Sequence, residues 1–379
     1  MSGSARTKRS LYMEWAKTRS QAKYNLATSG LIGVARAEFP LDLDELEITA
    51  PGNYGYAPLE RRLAEHTGAP EECVVAAAGT SMANHLAMAA LLDPGDEVLI
   101  EQPAYGPLLD VANYLGLRVK RLPRRFEARF AIGLEELQRA ITTSTRLVVL
   151  TNLHNPSGAA LSAEMLQAIG KVAHRARVHV LVDEVYLEML FGRPAPFCFP
   201  IGNRIAGAGE NPFIVTSSLT KVYGLSGLRC GWILAAPGLA RRMWLLNDLF
   251  AATGAHPAER LSVVALDHLE QFRERARALL TANRIVLDAF LDSRRDIECF
   301  RPPAGTVVFP RLRLGLAHRD PEVFFKLLRE KYETTVVPGS FFEMPRHFRI
   351  GIGGDTATLR GGLERLGAAL DAFAKRESV

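Results

Sequence analysis

The sequence predicts an α/β fold with a large sheet-and-helix domain and a smaller α+β domain, and three observations carry that prediction. Short, branched apolar runs alternate with segments of helical period between about residues 59 and 236. The alternation stops in an Ala/Leu/Arg-rich helical region over roughly residues 258–291, beyond which shorter strand-like runs resume. At 379 residues the chain is also too long for one small core and suits about two domains.

Residues 1–10 (MSGSARTKRS) are polar and basic and read as a disordered tail. Residues 98–100, 147–150, 178–182 and 213–215 are short apolar runs of the kind that strands covered on both faces require. Residues 162–176 between them place Met165, Leu166, Ile169, Val172 and Ala173 on one helical stripe, with Ser162 as N-cap. Strand and helix in alternation call for a sheet with crossover helices. Strands around Val307 and Val336 and at residues 348–352, flanking helices at 321–331 and 356–375, make the smaller C-terminal α+β unit.

Composition narrows the function classes. Hydrophobic residues are 48% and charged residues 23% of the chain, the balance of an ordinary globular protein. The net charge of +5 is spread out, apart from a basic stretch at residues 118–129 that reads as a solvated face rather than an anion site. No basic motif interleaved with aromatics points to nucleic acid, and no run reaches membrane-spanning length. Cys73, Cys198, Cys230 and Cys299 have neither disulfide-framework nor zinc-ligand spacing, so no metal is expected. The absence of an apolar leader segment makes a cytoplasmic location the expectation.

Lys221 stands out. It follows the apolar run 213–215 inside SSLTKVYGLSGLRCGW, and a second apolar run, 231–235, comes after it. An ammonium near the interior must be paired or transformed, and desolvation favours the neutral amine that condenses with an aldehyde. From this window alone a surface lysine snorkelling over apolar neighbours is the other reading.

Four further segments sit at ends of expected strands, where an open α/β sheet places its ligand. Gly79, Thr80 and Ser81 precede a helix and form either a phosphate cradle or a plain N-cap. Asn155-Pro156-Ser157-Gly158 is a turn or an amide presented at the sheet edge. Asp183 ends a very apolar strand, with Tyr186 three residues on, and such a carboxylate needs a cation. Metal ligation by Asp183 and Glu184 is the rival there, without partner ligands at suitable spacing. Arg349, within a strand-like run, calls for an anion, either a structural carboxylate or a ligand. Cradle, amide, buried carboxylate, aldehyde-reactive lysine and carboxylate-binding arginine are the parts needed to hold pyridoxal phosphate and an amino acid.

NPSG, DEVY, SSLTKVYGLSGLRCGW, VPGSFF and FRIG resemble, in order from about Leu26 to the C-terminus, the signature motifs of class I/II, fold-type I pyridoxal-phosphate-dependent aminotransferases. The resemblance implies a large domain (46–280) with a mostly parallel seven-stranded sheet. It further implies a small domain built from both termini (281–379, completed by 11–45), and a homodimer with shared active sites. It makes Lys221 the residue of the internal aldimine with pyridoxal 5′-phosphate, and assigns the phosphate to Gly79, Thr80, Ser81, Ser218 and Arg229. Asp183 then pairs with the pyridine nitrogen, Asn155 and Tyr186 bond the ring hydroxyl oxygen, and Tyr105 in EQPAYGP stacks on the ring. Arg349, with Asn155, takes the substrate α-carboxylate, and Gly30 in NLATSGL lies where an N-terminal segment closes on the substrate.

The sequence departs from the family pattern in PGNYGYAPLERRLAEH, where Glu60 stands in place of the usual arginine and either Tyr54 or Tyr56 reaches the neighbouring subunit's phosphate, Tyr54 being preferred. Gln102-Pro103 replaces an acidic-proline pair, and the N-terminal arm is short. The expected activity is transfer of an amino group from an L-amino acid to a 2-oxo acid by a ping-pong route, with another reaction of the same cofactor (β-lyase, biosynthetic cyclase or synthase, decarboxylase) as the alternative. A regulatory module fused to a DNA-binding domain is disfavoured by the lack of room for such a domain before Leu26.

Overall fold

The computed structural model describes residues 6–42, 46–191, 195–206, 209–313 and 319–375. Residues 1–5 of the expected tail, and 43–45, 192–194, 207–208, 314–318 and 376–379 of the expected domains, lie outside the described residues.

Ser10 caps α1 (Leu11–Thr18) by accepting from the Met13 amide at 3.3 Å, and β1 (Tyr24–Asn25) follows. Helices and strands then alternate: α2 (Ala57–Thr67), β2 (Val74–Ala78), α3 (Thr80–Leu91), β3 (Glu97–Gln102), α4 (Gly106–Leu115), β4 (Arg118–Pro123), α5 (Leu134–Ala140) and β5 (Thr145–Thr151). They continue through α6 (Ala163–Ala176), β6 (His179–Asp183), α7 (Cys198–Ala206), β7 (Phe213–Ser218), α8 (Leu219–Val222), β8 (Cys230–Leu234) and α9 (Pro237–Asn247). The helical region expected over 258–291 is two helices, α10 (His256–Asp267) and α11 (Leu269–Ser293), which meet at His268. The rest is β9 (Ile297–Glu298), β10 (Val307–Val308), β11 (Arg311–Leu312), α12 (Pro321–Tyr332), β12 (Thr334–Thr335), β13 (Val337–Pro338), β14 (Phe348–Gly351) and α13 (Thr356–Lys375).

The seven-stranded sheet has the order β2-β8-β7-β6-β5-β3-β4 and is parallel except for β8, which runs against both neighbours. Its central strands are apolar on both faces because both faces are covered. Val148, Leu150, Val180 and Val182 point into one core with Leu166 and Ile169 of α6 and Phe199 of α7. The alternate residues Leu147, Val149, Leu181 and Ile214 point into the other, against Leu86 of α3, Leu108 of α4 and Met243 of α9. Ser162 caps α6 as its position foretells, accepting from the Met165 amide at 3.2 Å.

The basic stretch at 118–129 departs from a solvated face. Its first half is the edge strand β4, paired with β3 alone, and Arg124 just beyond it is fully buried against Glu101.

A three-stranded antiparallel sheet, β10-β14-β13, puts Arg349 in its central strand. The segment after β1 stitches this sheet to the large one: Leu26 N–H donates to Thr335 O (2.8 Å), Gly351 N–H to Leu26 O (2.7 Å) and Leu31 N–H to Lys221 O (3.1 Å). The N-terminal segment thereby sets where Arg349 stands relative to Lys221.

Candidate active site

The strands β5, β6 and β7 end in Thr151, Asp183 and Ser218, all on the carboxyl edge of the sheet, and β3 leads there into Tyr105. Because β8 runs the other way, its start brings Arg229 to the same edge. A cavity of about 170 Å³ at this edge is lined by Thr80, Ser81, Tyr105, Asn155, Asp183, Tyr186, Ser218, Lys221 and Arg229. Nine of the residues singled out in the sequence therefore meet around one space.

Lys221 lies on the one-turn helix α8, whose start is capped by Ser218 accepting from the Thr220 amide at 3.3 Å. Its ammonium donates to Ser29 Oγ at 3.2 Å. Burial, reinforced by the charge of Arg349 and opposed by Asp183, lowers its pKa from 10.5 to about 8. Gly30 lies against this side chain: a Cβ there would stand 3.3 Å from Lys221 Cδ.

Asp183 is buried and accepts from Asn84 Nδ2 at 2.9 Å and from the Val185 amide at 3.1 Å. Burial raises its pKa to about 6 in spite of these bonds and of Lys221. Asn84 is itself oriented by Thr216, whose hydroxyl donates to its amide oxygen at 2.6 Å. Tyr186 is buried, which raises its phenol pKa, while the charge of Arg349 opposes that rise.

Arg229 is drawn over the start of α3 by a close approach of two backbones. Gly79 has φ of 78°, and a Cβ on it would come within 2.3 Å of Arg229 Nη2; one on Gly231 would come within 2.5 Å of the Gly79 carbonyl carbon. Thr80 Oγ1 donates to Ser218 Oγ at 2.9 Å beside them. Arg229 donates only to the carbonyls of Ser226 and Ala78, and among the described residues it has no carboxylate partner. A guanidinium, two hydroxyls and the unpaired amides of a helix start form an anion cradle.

Arg349 is 0% exposed and donates to Asn155 Oδ1 (2.9 Å), Tyr12 Oη (2.8 Å) and Ala27 O (3.1 Å), and among the described residues its Nε has no hydrogen-bond partner. None of these partners is a carboxylate, so the site holds an uncompensated buried cation, which is costly unless an anion joins it. The donor set fits pyridoxal 5′-phosphate and an amino acid: a cradle for the phosphate, a buried carboxylate for the ring nitrogen, a depressed-pKa amine and a buried guanidinium bonded only to neutral groups.

Tyr54 is not among the lining residues. It is 44% exposed on the surface, its hydroxyl donates to Asp248 Oδ2 at 2.9 Å, and Arg241 lies 4.6 Å from its ring centre. Tyr56 is buried and accepts from Arg260 at 3.0 Å.

Asn84, Thr216, Tyr12 and Ser29 have no signal in the sequence that separates them from ordinary helix or loop residues. Glu101 is different, since it is a carboxylate inside an apolar strand, the feature that marked Asp183. Its Oε2 meets Arg124 at 2.6 Å, its Oε1 accepts from the Thr151 amide (2.7 Å) and hydroxyl (2.6 Å), and that hydroxyl accepts from the Asn155 amide at 2.9 Å. This buried chain of bonds anchors the loop that carries Asn155.

Such a sheet, with a lysine, an aspartate and an anion cradle at its carboxyl edge, defines a cofactor-dependent enzyme of the α/β class. Residues 35–366 match the family model for aminotransferase class I and II. Capreomycidine synthase of Streptomyces vinaceus is 29% identical over 376 residues, covering 96% of this chain and 94% of that protein. A probable N-succinyldiaminopimelate aminotransferase of Mycobacterium tuberculosis is 31% identical over 300 residues, covering 77% and 74%. A solved PLP-dependent aminotransferase from Streptococcus suis superposes with a TM-score of 0.88 at 24% identity, over 98% of this chain and 100% of that one. The chain belongs to the class I and II aminotransferase family, and its cofactor is pyridoxal 5′-phosphate. Among the described residues, no helix is long and apolar enough to cross a membrane.

Proposed function

We propose that this enzyme transfers an amino group from an L-amino acid to a 2-oxo acid in two half-reactions. The observation that carries the reading is Arg349, a fully buried guanidinium that has no carboxylate partner among the described residues and shares Asn155 with the cavity containing Lys221. When bound, pyridoxal 5′-phosphate supplies an electron sink for the charge left on the substrate Cα after its proton departs. Lys221, with its pKa lowered to about 8, would hold the cofactor aldehyde through its neutral amine and is the base placed to take and return a proton at the substrate Cα. Asp183 would keep a proton on the ring nitrogen, and Asn155 and Tyr186 would bind the ring hydroxyl oxygen. Tyr105 would pack on the ring, and Gly79, Thr80, Ser81, Ser218 and Arg229 would hold the phosphate. Arg349 forks onto the substrate carboxylate and so orients the Cα–H bond, while Gly30 lets the N-terminal segment approach Lys221.

The proposal extends to a homodimer in which the exposed Tyr54 of each subunit reaches the other's phosphate, with the domain division near residue 280 falling inside the continuous helix α11. A cytoplasmic enzyme is the corresponding reading of location.

A second reading, a synthase or cyclase using the same cofactor, is favoured by the span of the capreomycidine synthase match, 96% of this chain. A half-reaction screen decides between them. Holoenzyme is mixed with single amino acids, and the cofactor absorbance and released ammonia are followed. Conversion to the pyridoxamine form, reversed by a 2-oxo acid, supports transamination; turnover of an amino acid to a new product without the pyridoxamine form and without an amino acceptor overturns it, released ammonia and keto acid marking a lyase and a cyclised or condensed product a cyclase or synthase.

A further inference from the structure

We propose that the substrate of this site carries an uncharged aromatic or long apolar side chain, selected by a wall on α1; the inference rests on the reading of the site as amino-acid-processing. Two cavities meet at Lys221. The one already described runs from Lys221 to Asp183, Ser218 and Arg229 and is filled by the cofactor in that reading. The other, of about 300 Å³, shares Met13, Tyr105, Thr220 and Lys221 with it and leads away toward Tyr12 and Trp15 of α1. A substrate with its carboxylate at Arg349 and its Cα at Lys221 has this second space left for its third substituent.

The wall of that space is apolar where it matters. Tyr12 packs edge-on to Tyr105 at 5.5 Å, and Trp15 lies 5.3 Å from Phe341. The hydroxyls on the α1 side are engaged: that of Tyr12 accepts from Arg349, and that of Tyr105 donates to Met13 Sδ at 3.6 Å. Ser20 donates to Ala16 O at 2.6 Å, and Ser29 accepts from Lys221. On the α1 side the wall therefore presents ring faces, a thioether and methyl groups, which suit burial of apolar surface, while Thr220 Oγ1, buried without a hydrogen-bond partner among the described residues, is a polar atom left beside Lys221.

Charge complements this. Among the described residues lining the second cavity, Lys221 is the only charged one. A second carboxylate on the substrate would be desolvated with only the Lys221 amine beside it and no second guanidinium in the lining to fork onto it, since Arg349 is engaged by the first. A guanidinium or ammonium would face Lys221 and Arg349 with no acid in the lining. Pockets of this kind discriminate by the apolar area they bury, roughly 10- to 200-fold per methylene.

The test measures single-turnover half-reactions of holoenzyme with phenylalanine, leucine and methionine against aspartate, glutamate and arginine. In parallel, the affinities of 3-phenylpropionate and glutarate are read from the perturbation of the cofactor spectrum. The expected result is a kcat/KM at least about 100-fold higher for the first group and tighter binding of 3-phenylpropionate, with the preference falling about tenfold or more in Trp15→Ala and held in Trp15→Phe. Preference for a dicarboxylic or guanidino amino acid overturns the side-chain assignment while leaving transamination standing. No conversion of any amino acid, with 3-phenylpropionate still bound more tightly than glutarate, overturns transamination and upholds the pocket. Equal binding of both acids overturns the pocket.

Discussion

Arg349 donates to the amide oxygen of Asn155 at 2.9 Å across 194 positions of sequence. This one bond joins the central strand of the small sheet to the loop after β5, so the groups assigned to the substrate carboxylate and to the cofactor ring are held in one frame. Four predictions follow from that frame and its supports.

Arg349→Lys keeps the charge and removes the planar fork. We expect kcat/KM to fall about 10- to 100-fold, mostly through KM, in steady-state kinetics. Arg349→Met is expected to abolish turnover while the apoenzyme keeps at least its original melting temperature, because a buried unpaired cation is removed.

Lys221→Ala is expected to bind cofactor without the covalent tether, seen as loss of its characteristic absorbance, and to lower multiple turnover by at least about 10²- to 10⁴-fold. In the unaltered protein, capture of the cofactor aldehyde should accelerate as pH rises through about 8, where the amine loses its proton, rather than near 10.5. The folded-state pKa lies below the unfolded value, so between about 8 and 10.5 the unfolded chain binds more protons and apoenzyme stability rises with pH. Denaturant melts across that window, compared with Lys221→Met, check the sign.

Asn84→Leu removes the side-chain donor to Asp183, and Asp183→Asn removes the negative charge itself. Asp183→Asn should lower kcat about 10- to 100-fold at unchanged fold. Asn84→Leu should show a smaller loss together with a shifted pH profile of the cofactor absorbance, a change that a purely structural role would not produce.

Glu101→Gln leaves Arg124 buried without its partner, and we expect a loss of about 3–5 kcal/mol in stability by denaturant titration. Glu101→Met combined with Arg124→Met should recover most of it. Glu101→Gln should also weaken substrate carboxylate binding, since Glu101 holds Asn155 through Thr151.

Much of the fold was legible because the central strands are continuous apolar runs, which only a sheet covered on both faces requires, and because Ser162 and the stripe after it obey helical spacing. The edge strand β4 was not, since a strand paired on one side tolerates the charges of residues 118–123 and loses the apolar signature. Arg124 reads as one more basic residue until Glu101 is placed beside it. The single helical region over 258–291 hid its break at His268, where no glycine or proline marks the junction.

In the site, the chemical types were legible along the chain: a lysine after a buried strand, a carboxylate ending another, a glycine-led helix start and an arginine within an apolar run. Each of these is a local conflict between charge and apolar surroundings, and a local conflict is visible in one dimension. Which groups face one another depends on the folding of distant segments together. Asn84 on Asp183, Ser29 on Lys221 and Tyr12 on Arg349 are pairs of ordinary polar residues whose meaning lies in a distance of about 3 Å between atoms far apart in the chain. The same holds for the aromatic wall of α1, because a helix shows its apolar face in sequence but not the cavity onto which that face is laid.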